Sequence, residues 1–382
     1  MTEKSKRILI FTTAYKPFVG GSEMAIENIS RRLPSIFFDI VTPRHSRKLE
    51  KFTENENIRV HRVGFGWSSD KYFFPISGFL KTFSLMKKND YYLFHAYQAS
   101  YGAGAAWLLK VFKPKIKFLL TIQEGEDLNK QNFWVRFFRS LIVGKADMIT
   151  SISNYLADYV KSINEKAMVV IIPNGVDIEN FSLKGIEDGR QALLKEKIGL
   201  KEDNRVIITV SRLVSKNCLD NLITAVAKVK SQLPEIKLLI IGNGPLLKKL
   251  KLISERLNLN NSVLFLGEIS HENLPEYLKI ADVFIRPSKS EGLGNSFLEA
   301  MATGVPIIGT PVGGIPDFLA DRQTGLFCRV GDSDDLAEKT MEVLTDKNLR
   351  IKIINNARLL IEEKYNWEII ARKFESIYTY GI

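Results

Sequence analysis

Ser290-Glu291-Gly292-Leu293-Gly294-Asn295-Ser296-Phe297-Leu298-Glu299-Ala300 follows the apolar run Val283-Phe284-Ile285-Arg286-Pro287 and precedes Gly304 and Pro306. An apolar, β-forming run ended by proline reads as a buried strand, and Asn295 or Ser296 is a natural cap for a short helix that Gly304 and Pro306 stop. A strand joined to a helix through a two-glycine loop aims the helix N-terminus beyond the strand end. Backbone N–H groups and the positive end of the helix dipole there suit an anion, most often phosphate. Gly292, Leu293, Gly294, Asn295 and Ser296 are therefore the candidate phosphate cradle.

Outward from this unit, strand and helix patterns alternate along almost the whole chain, the pattern of parallel sheets with crossover helices. Strands are expected at Arg7 to Thr12, Phe38 to Thr42, Ile58 to Val63, Leu93 to Ala96, Phe118 to Ile122, Ala146 to Ser153 and Val169 to Ile172. A second series runs through Val206 to Val210, Lys237 to Ile241 and Val263 to Leu266. Ligands of open parallel sheets bind outside the carboxyl ends of the strands. The strand-end residues are thus the candidates for function: Gly20 and Gly21; His95; Glu124; Arg212, Lys216 and Asn217; Gly242, Asn243 and Gly244; Gly267.

Two carboxylates, Glu291 and Glu299, frame the glycine loop. Beside phosphates they suit hydroxyl groups, so they point to a ligand with phosphate in the middle and sugar hydroxyls at both ends. The alternative is a solvated loop glutamate and a helix-surface one. Arg212 and Lys216 suit a diphosphate leaving group, against a reading as surface charge. His95 is a candidate for the ligand cleft or a hydrogen-bonded core histidine.

The run Glu291-Gly-Leu-Gly-Asn-Ser-Phe-Leu-Glu299-Ala-Met-Ala-Thr-Gly-Val-Pro-Ile-Ile308, with Gly309-Thr-Pro-Val-Gly-Gly-Ile-Pro-Asp317 and Thr324-Gly-Leu-Phe327, resembles the signature of the GT4 family of retaining glycosyltransferases. That family has the GT-B fold, two Rossmann-like α/β domains whose parallel sheets face across a cleft. The resemblance implies an acceptor-binding domain over residues 1–175, a nucleotide-sugar domain over 176–364 and a C-terminal helix, 365–382, crossing back. By position it places Glu291 near the transferred sugar and Glu299 on the ribose. It gives Arg212 and Lys216 to the diphosphate, and Gly267 and its neighbours to the nucleobase. In the family the first glycine loop, here Gly20-Gly21, faces the donor. The chain departs from the pattern twice: Glu124 stands where many members have histidine, and Asn217 where the commoner form has lysine.

Composition narrows the classes. The chain has 382 residues, enough for two domains, with 45% hydrophobic and 25% charged content, as in a soluble globular protein. No window approaches the roughly 18 to 20 uninterrupted apolar residues of a membrane span. Met1 to Arg7 leads straight into the first strand, which points to cytoplasmic placement without a signal peptide. Cys218 and Cys328 lack metal-type spacing and read as free thiols. Asp332-Ser333-Asp334 imitates a metal-binding motif but reads as a helix cap, so neither a metal nor a cofactor is expected, only a nucleotide diphosphate sugar as co-substrate.

A formal charge of +11 and a pI near 9.3 call for an anionic partner or surface. Zinc-finger spacing, RNP-like strands and long Lys/Arg blocks are missing, so no nucleic acid is expected. Lys71-Tyr72-Phe73-Phe74 through Lys88, and Phe133-Trp134-Val135-Arg136-Phe137-Phe138-Arg139, mix aromatics with positive charge. Phe133, Phe137 and Leu141 share a helical face, which fits either a core stripe or an anionic membrane surface at the inner face of the plasma membrane. The expectation is a sugar transferase acting on a glycan or lipid-linked acceptor in cell-envelope polysaccharide or glycolipid synthesis. Its rivals are a non-catalytic nucleotide-sugar-binding protein and a GT-B-fold epimerase.

Overall fold

Short β-branched and aromatic runs separated by helices with one apolar face can pair only in parallel, because each crossover returns the chain to the same sheet edge. The computed structural model describes residues 6–18, 20–125, 128, 131–182 and 188–380. The start Met1–Ser5, Val19 of the first glycine loop, Glu126 and Asp127, the 183–187 start of the charged connector and Gly381–Ile382 lie outside the described residues. The chain divides into two units, Met1–Asn174 with Trp367–Ile382, and Gly175–Asn366.

The first unit runs β1 (Arg7–Phe11), α1 (Gly21–Arg31), β2 (Phe37–Pro43), β3 (Phe52–Asn55), β4 (Ile58–Val63), α2 (Asp70–Met86), β5 (Leu93–Tyr97), α3 (Tyr101–Phe112), β6 (Lys117–Ile122), α4 (Phe133–Val143), β7 (Met148–Ser151), α5 (Asn154–Ile163) and β8 (Val169–Ile171). They form one sheet ordered β3-β4-β2-β1-β5-β6-β7-β8. β3, antiparallel to β4, is short and mostly exposed, so it carries no apolar periodicity by which the sequence reveals it. Strand order reverses beside β1, whose neighbours are β2 and β5.

The second unit runs α6 (Ile178–Phe181), α7 (Asp188–Lys197), β9 (Arg205–Val210), α8 (Leu219–Lys230), β10 (Ile236–Ile241), α9 (Leu247–Arg256), β11 (Val263–Gly267), α10 (Leu274–Lys279), β12 (Val283–Arg286), α11 (Asn295–Ala302), β13 (Ile307–Gly309), β14 (Leu326–Phe327), α12 (Ser333–Thr345) and α13 (Lys347–Lys364). The chain then returns to the first unit as α14 (Trp367–Tyr380). The second sheet is parallel, ordered β11-β10-β9-β12-β13-β14, and reverses between β9 and β12.

Each unit has its own core. In the second, Ile207, Leu238, Ile285 and Ile308 from the strands pack against Leu222, Val226 and Ile353. In the first, Ile8, Ile10, Ile40 and Leu93 meet Trp367, Ile370, Phe374 and Tyr378 of α14, so residues from the far end of the chain complete that core. Cys218 and Cys328 are buried free thiols, and burial pushes the Cys328 thiol up to about 12. Among the described residues no helix is long and apolar enough to cross a membrane.

Candidate active site

The reversal between β9 and β12 puts the loops after these two strands side by side, at the position where doubly wound sheets bind ligands. The backbone N–H of Lys289 donates to Lys216 O at 2.7 Å, stitching the two loops together. Lys216 lies half-buried in the 3-10 turn Ser215–Asn217, and Arg212 is exposed just after β9.

The helix after β12 starts at Asn295, as expected, but its cap differs. Gly294 occupies the N-cap with φ 101, no side chain caps the helix, and neither Asn295 nor Ser296 takes that part. Glycine is needed because L side chains avoid this left-handed region. The Leu293 side chain is buried and packs inside the loop. Gly304, with φ +72, follows α11 and ends it as a C-terminal glycine does.

Neither glutamate is a solvated surface residue. Glu291, 8% exposed, pairs with Arg286, the last residue of β12, and its Oε1 accepts the Gly292 N–H at 3.2 Å. Arg286 Nη1 also donates to Ser296 Oγ at 3.0 Å and Nη2 to Asn217 Oδ1 at 3.4 Å. Glu299 Oε1 lies 3.0 Å from His271 Nε2. Burial disfavours the charged imidazole of His271, but the hydrogen bond and charge of Glu299, with Asp177 and Glu272, outweigh it and hold the group above its ordinary value. His271 escapes a sequence reading because it meets Glu299 across 28 positions, and Arg286 because it reads as the end of an apolar strand although its partner lies only five residues on.

Several other candidates change role. Asn217 is 1% exposed; its Nδ2 donates to Arg212 O at 2.7 Å while Oδ1 faces Arg286, so its amide is spent inside the protein and not on a donor. Gly242 and Gly244 do permit a close approach, but by protein: a Cβ at Gly242 would lie 2.0 Å from Ser211 O, and one at Gly244 2.5 Å from Leu213 O. Asn243 O accepts the Leu213 N–H at 2.9 Å, and Gly267 O accepts the Gly242 N–H at 2.7 Å. These loops are braced against one another. Asp332 Oδ1 caps α12 through the N–H groups of Asp334 and Asp335, and no metal-type cluster of His, Cys, Asp and Glu occurs among the described residues.

In the first unit the candidate groups lie after β1, within β5 and after β6. Gly20 caps α1, and a Cβ there would meet Glu23 Oε2 at 2.5 Å, so the glycine makes room for a carboxylate whose burial raises its pKa. Glu23 was not singled out from the sequence. Gly21 is exposed at the first position of α1. His95 is a core residue and not a ligand contact: it is 0% exposed, with Nδ1 2.6 Å from the Tyr378 hydroxyl and Nε2 2.6 Å from Thr121 Oγ1. Burial pushes it down to about 3, so it is neutral. Glu124 is also internally committed. Its Oε1 accepts the Ala99 N–H at 2.7 Å and lies 3.5 Å from Arg139 Nη2, and its Oε2 accepts the Gln123 N–H at 3.0 Å.

Residues 19–180 match the family model described as Glycosyltransferase Family 4, and residues 191–360 match Glycosyl transferases group 1. The chain belongs to glycosyltransferase family GT4. A GT4 relative, the N-acetyl-alpha-D-glucosaminyl L-malate synthase of Bacillus anthracis, is 28% identical over 97% of both chains. A GDP-mannose-dependent monoacylated phosphatidylinositol monomannoside mannosyltransferase of Corynebacterium glutamicum is 31% identical over 61% of this chain and 62% of its own. Sucrose-phosphate synthase from Thermosynechococcus elongatus superposes with a TM-score of 0.85 at 20% identity, over 98% of each chain. Anabaena HepE, in complex with UDP and glucose, gives 0.81 at 17% identity over 98% of this chain and 100% of its own. This GT4 glycosyltransferase therefore has the GT-B architecture of two parallel-sheet α/β domains.

Proposed function

We propose that the chain transfers a hexosyl unit from a nucleoside diphosphate sugar to a lipid-linked or glycan acceptor, with retention of anomeric configuration and without a metal. The observation that carries this reading is the arrangement at the carboxyl ends of β9 and β12. Arg212, Lys216 and the side-chain-uncapped N-terminus of α11 gather positive character where a diphosphate would leave. Glu291 and Glu299 frame the same helix for the sugar and ribose hydroxyls, and each is already engaged by a cation or an imidazole. A carboxylate so engaged is a poor nucleophile, which favours same-face transfer in which the departing phosphate takes the acceptor proton.

The acceptor reading draws on the first unit. On α2, Tyr72, Phe73, Ile76 and Leu80 are 57–67% exposed; on α4, Phe133, Trp134, Phe137 and Phe138 are 43–72% exposed. Large aromatics with Lys71, Lys81 and Arg136 among them suit an anionic lipid surface, where a lipid-linked acceptor is met. Relatives whose names specify phosphatidylinositol mannoside or diacylglycerol acceptors support the same choice.

Thermal unfolding of the purified chain with UDP, GDP, ADP and TDP tests the donor reading. A bound nucleotide at about 100 times its Kd adds ~2.7 kcal/mol, a shift of a few degrees. We expect one nucleotide to stabilise the wild type and Glu299→Ala to lose that response. If no nucleotide stabilises a well-folded chain, the donor reading is wrong. Turnover dependent on an added acceptor separates transfer from epimerisation.

A further inference from the structure

Resting on the donor-site reading above, we propose that Arg286 is a positioning residue that neutralises Glu291 and so lets the loop after β12 accept a nucleoside diphosphate. Arg286 ends β12, at the strand where the sheet order reverses, and its side chain is 11% exposed. Its guanidinium joins the glycine loop and the start of α11, just downstream of it, to the distant loop after β9. It pairs with Glu291 in the glycine loop, donates to Ser296 Oγ in the first turn of α11 at 3.0 Å, and donates to Asn217 Oδ1 at 3.4 Å. Asn217 passes the restraint on, because its Nδ2 holds the carbonyl of Arg212 at 2.7 Å.

The chemistry follows from charge. A buried carboxylate beside a diphosphate repels it, and the repulsion is strong where water is excluded. Arg286 cancels that charge and spares the positive end of α11 for the phosphates. The planar fork lets this one cation meet a carboxylate, a hydroxyl and an amide at once, but the neutralisation itself needs only its positive charge. By donating to Ser296 Oγ, Arg286 also occupies an acceptor position of that hydroxyl and turns its O–H outward as a donor.

The test is isothermal titration of UDP and GDP into the full-length chain and its Arg286→Gln, Glu291→Gln and Arg286→Gln/Glu291→Gln variants, with thermal unfolding of each. Arg286→Gln is expected to weaken binding of the diphosphate nucleotide by about tenfold or more, and the double variant to return to within about threefold of Glu291→Gln. Recovery on removing the second charge is an outcome that a merely structural arginine does not give. Unchanged binding in Arg286→Gln overturns the proposal, as does a double variant as weak as the single one. Should Arg286→Gln not fold, Arg286→Lys carries the test: retained charge predicts binding within about threefold of wild type, and a tenfold loss rejects the role. A wild type that binds neither nucleotide refutes the donor-site reading itself, and this role with it.

Discussion

Glu299 is held by a histidine whose charged form the fold favours, so its partner is sensitive to pH. The folded value lies above the ordinary 6.5, so the pair contributes fully below that value and its contribution is lost as pH rises through the raised one. The Tm of His271→Gln should accordingly fall below that of wild type by a few degrees at pH about 6 and converge with it at about pH 9. A gap that does not change with pH would show that His271 packs without ionising. Gly313 makes a second prediction. Its φ is +56 and a Cβ there would lie 1.8 Å from Glu291 O, so Gly313→Ala strains the backbone and displaces the donor loop. The left-handed conformation alone costs about 1–2 kcal/mol and the overlap adds to it, so a Tm loss of roughly 5 °C or more is expected, together with loss of the nucleotide response. The sequence singled out Glu291 and Glu299 by their places around the glycine loop, and the structure shows both engaged by a partner. Arg286, His271 and Glu23 were not singled out, because nothing in their own neighbourhoods marks them.

At the scale of elements, periodicity located the expected strands to within a residue or two, since a buried strand needs an unbroken apolar run, but it missed the short β3, β13 and β14. It misled at α4. Phe133 and Phe137 share a face, yet the buried residues of that helix are Arg139, Ile142 and Val143, with Arg139 turned inward to Ala99 O and Glu124. An arginine paired with a carboxylate and a carbonyl can be buried while aromatics stay outside, and a hydrophobicity pattern does not anticipate the exchange. If this face meets lipid, replacing Phe133, Trp134 and Phe138 by serine should abolish co-sedimentation with anionic vesicles at moderate salt while leaving Tm within about 1–2 °C, as exposed positions allow. Equal sedimentation of the variant would remove the membrane from the proposal. On α14, Phe374 is 2% exposed and stacks near His95, so Phe374→Ala should cost about 3–5 kcal/mol in calorimetry of the first unit's transition.

For the whole molecule, the chain order and the folded units do not coincide. The first unit needs Trp367, Ile370, Ala371, Phe374 and Tyr378, all nearly fully buried in its core. A fragment of residues 1–174 should therefore lack a cooperative unfolding transition, whereas 175–366 should show one and, on the donor reading, respond to nucleotide. Cooperative unfolding of the first fragment by itself would contradict this division. The sequence alone determined the alternating α/β class and the family signature, because these rest on local periodicity and on glycine and proline at fixed offsets. Only the tertiary structure decided which cation meets which carboxylate, that His95 and Asn217 are consumed inside the protein, and that Gly242 and Gly244 make room for neighbouring backbone. Most of those outcomes depend on residues tens of positions apart being packed at hydrogen-bonding distance, and even the Arg286–Glu291 pair, five positions apart, depends on how the loop after β12 turns; burial there makes an unpaired charge or amide too costly to leave.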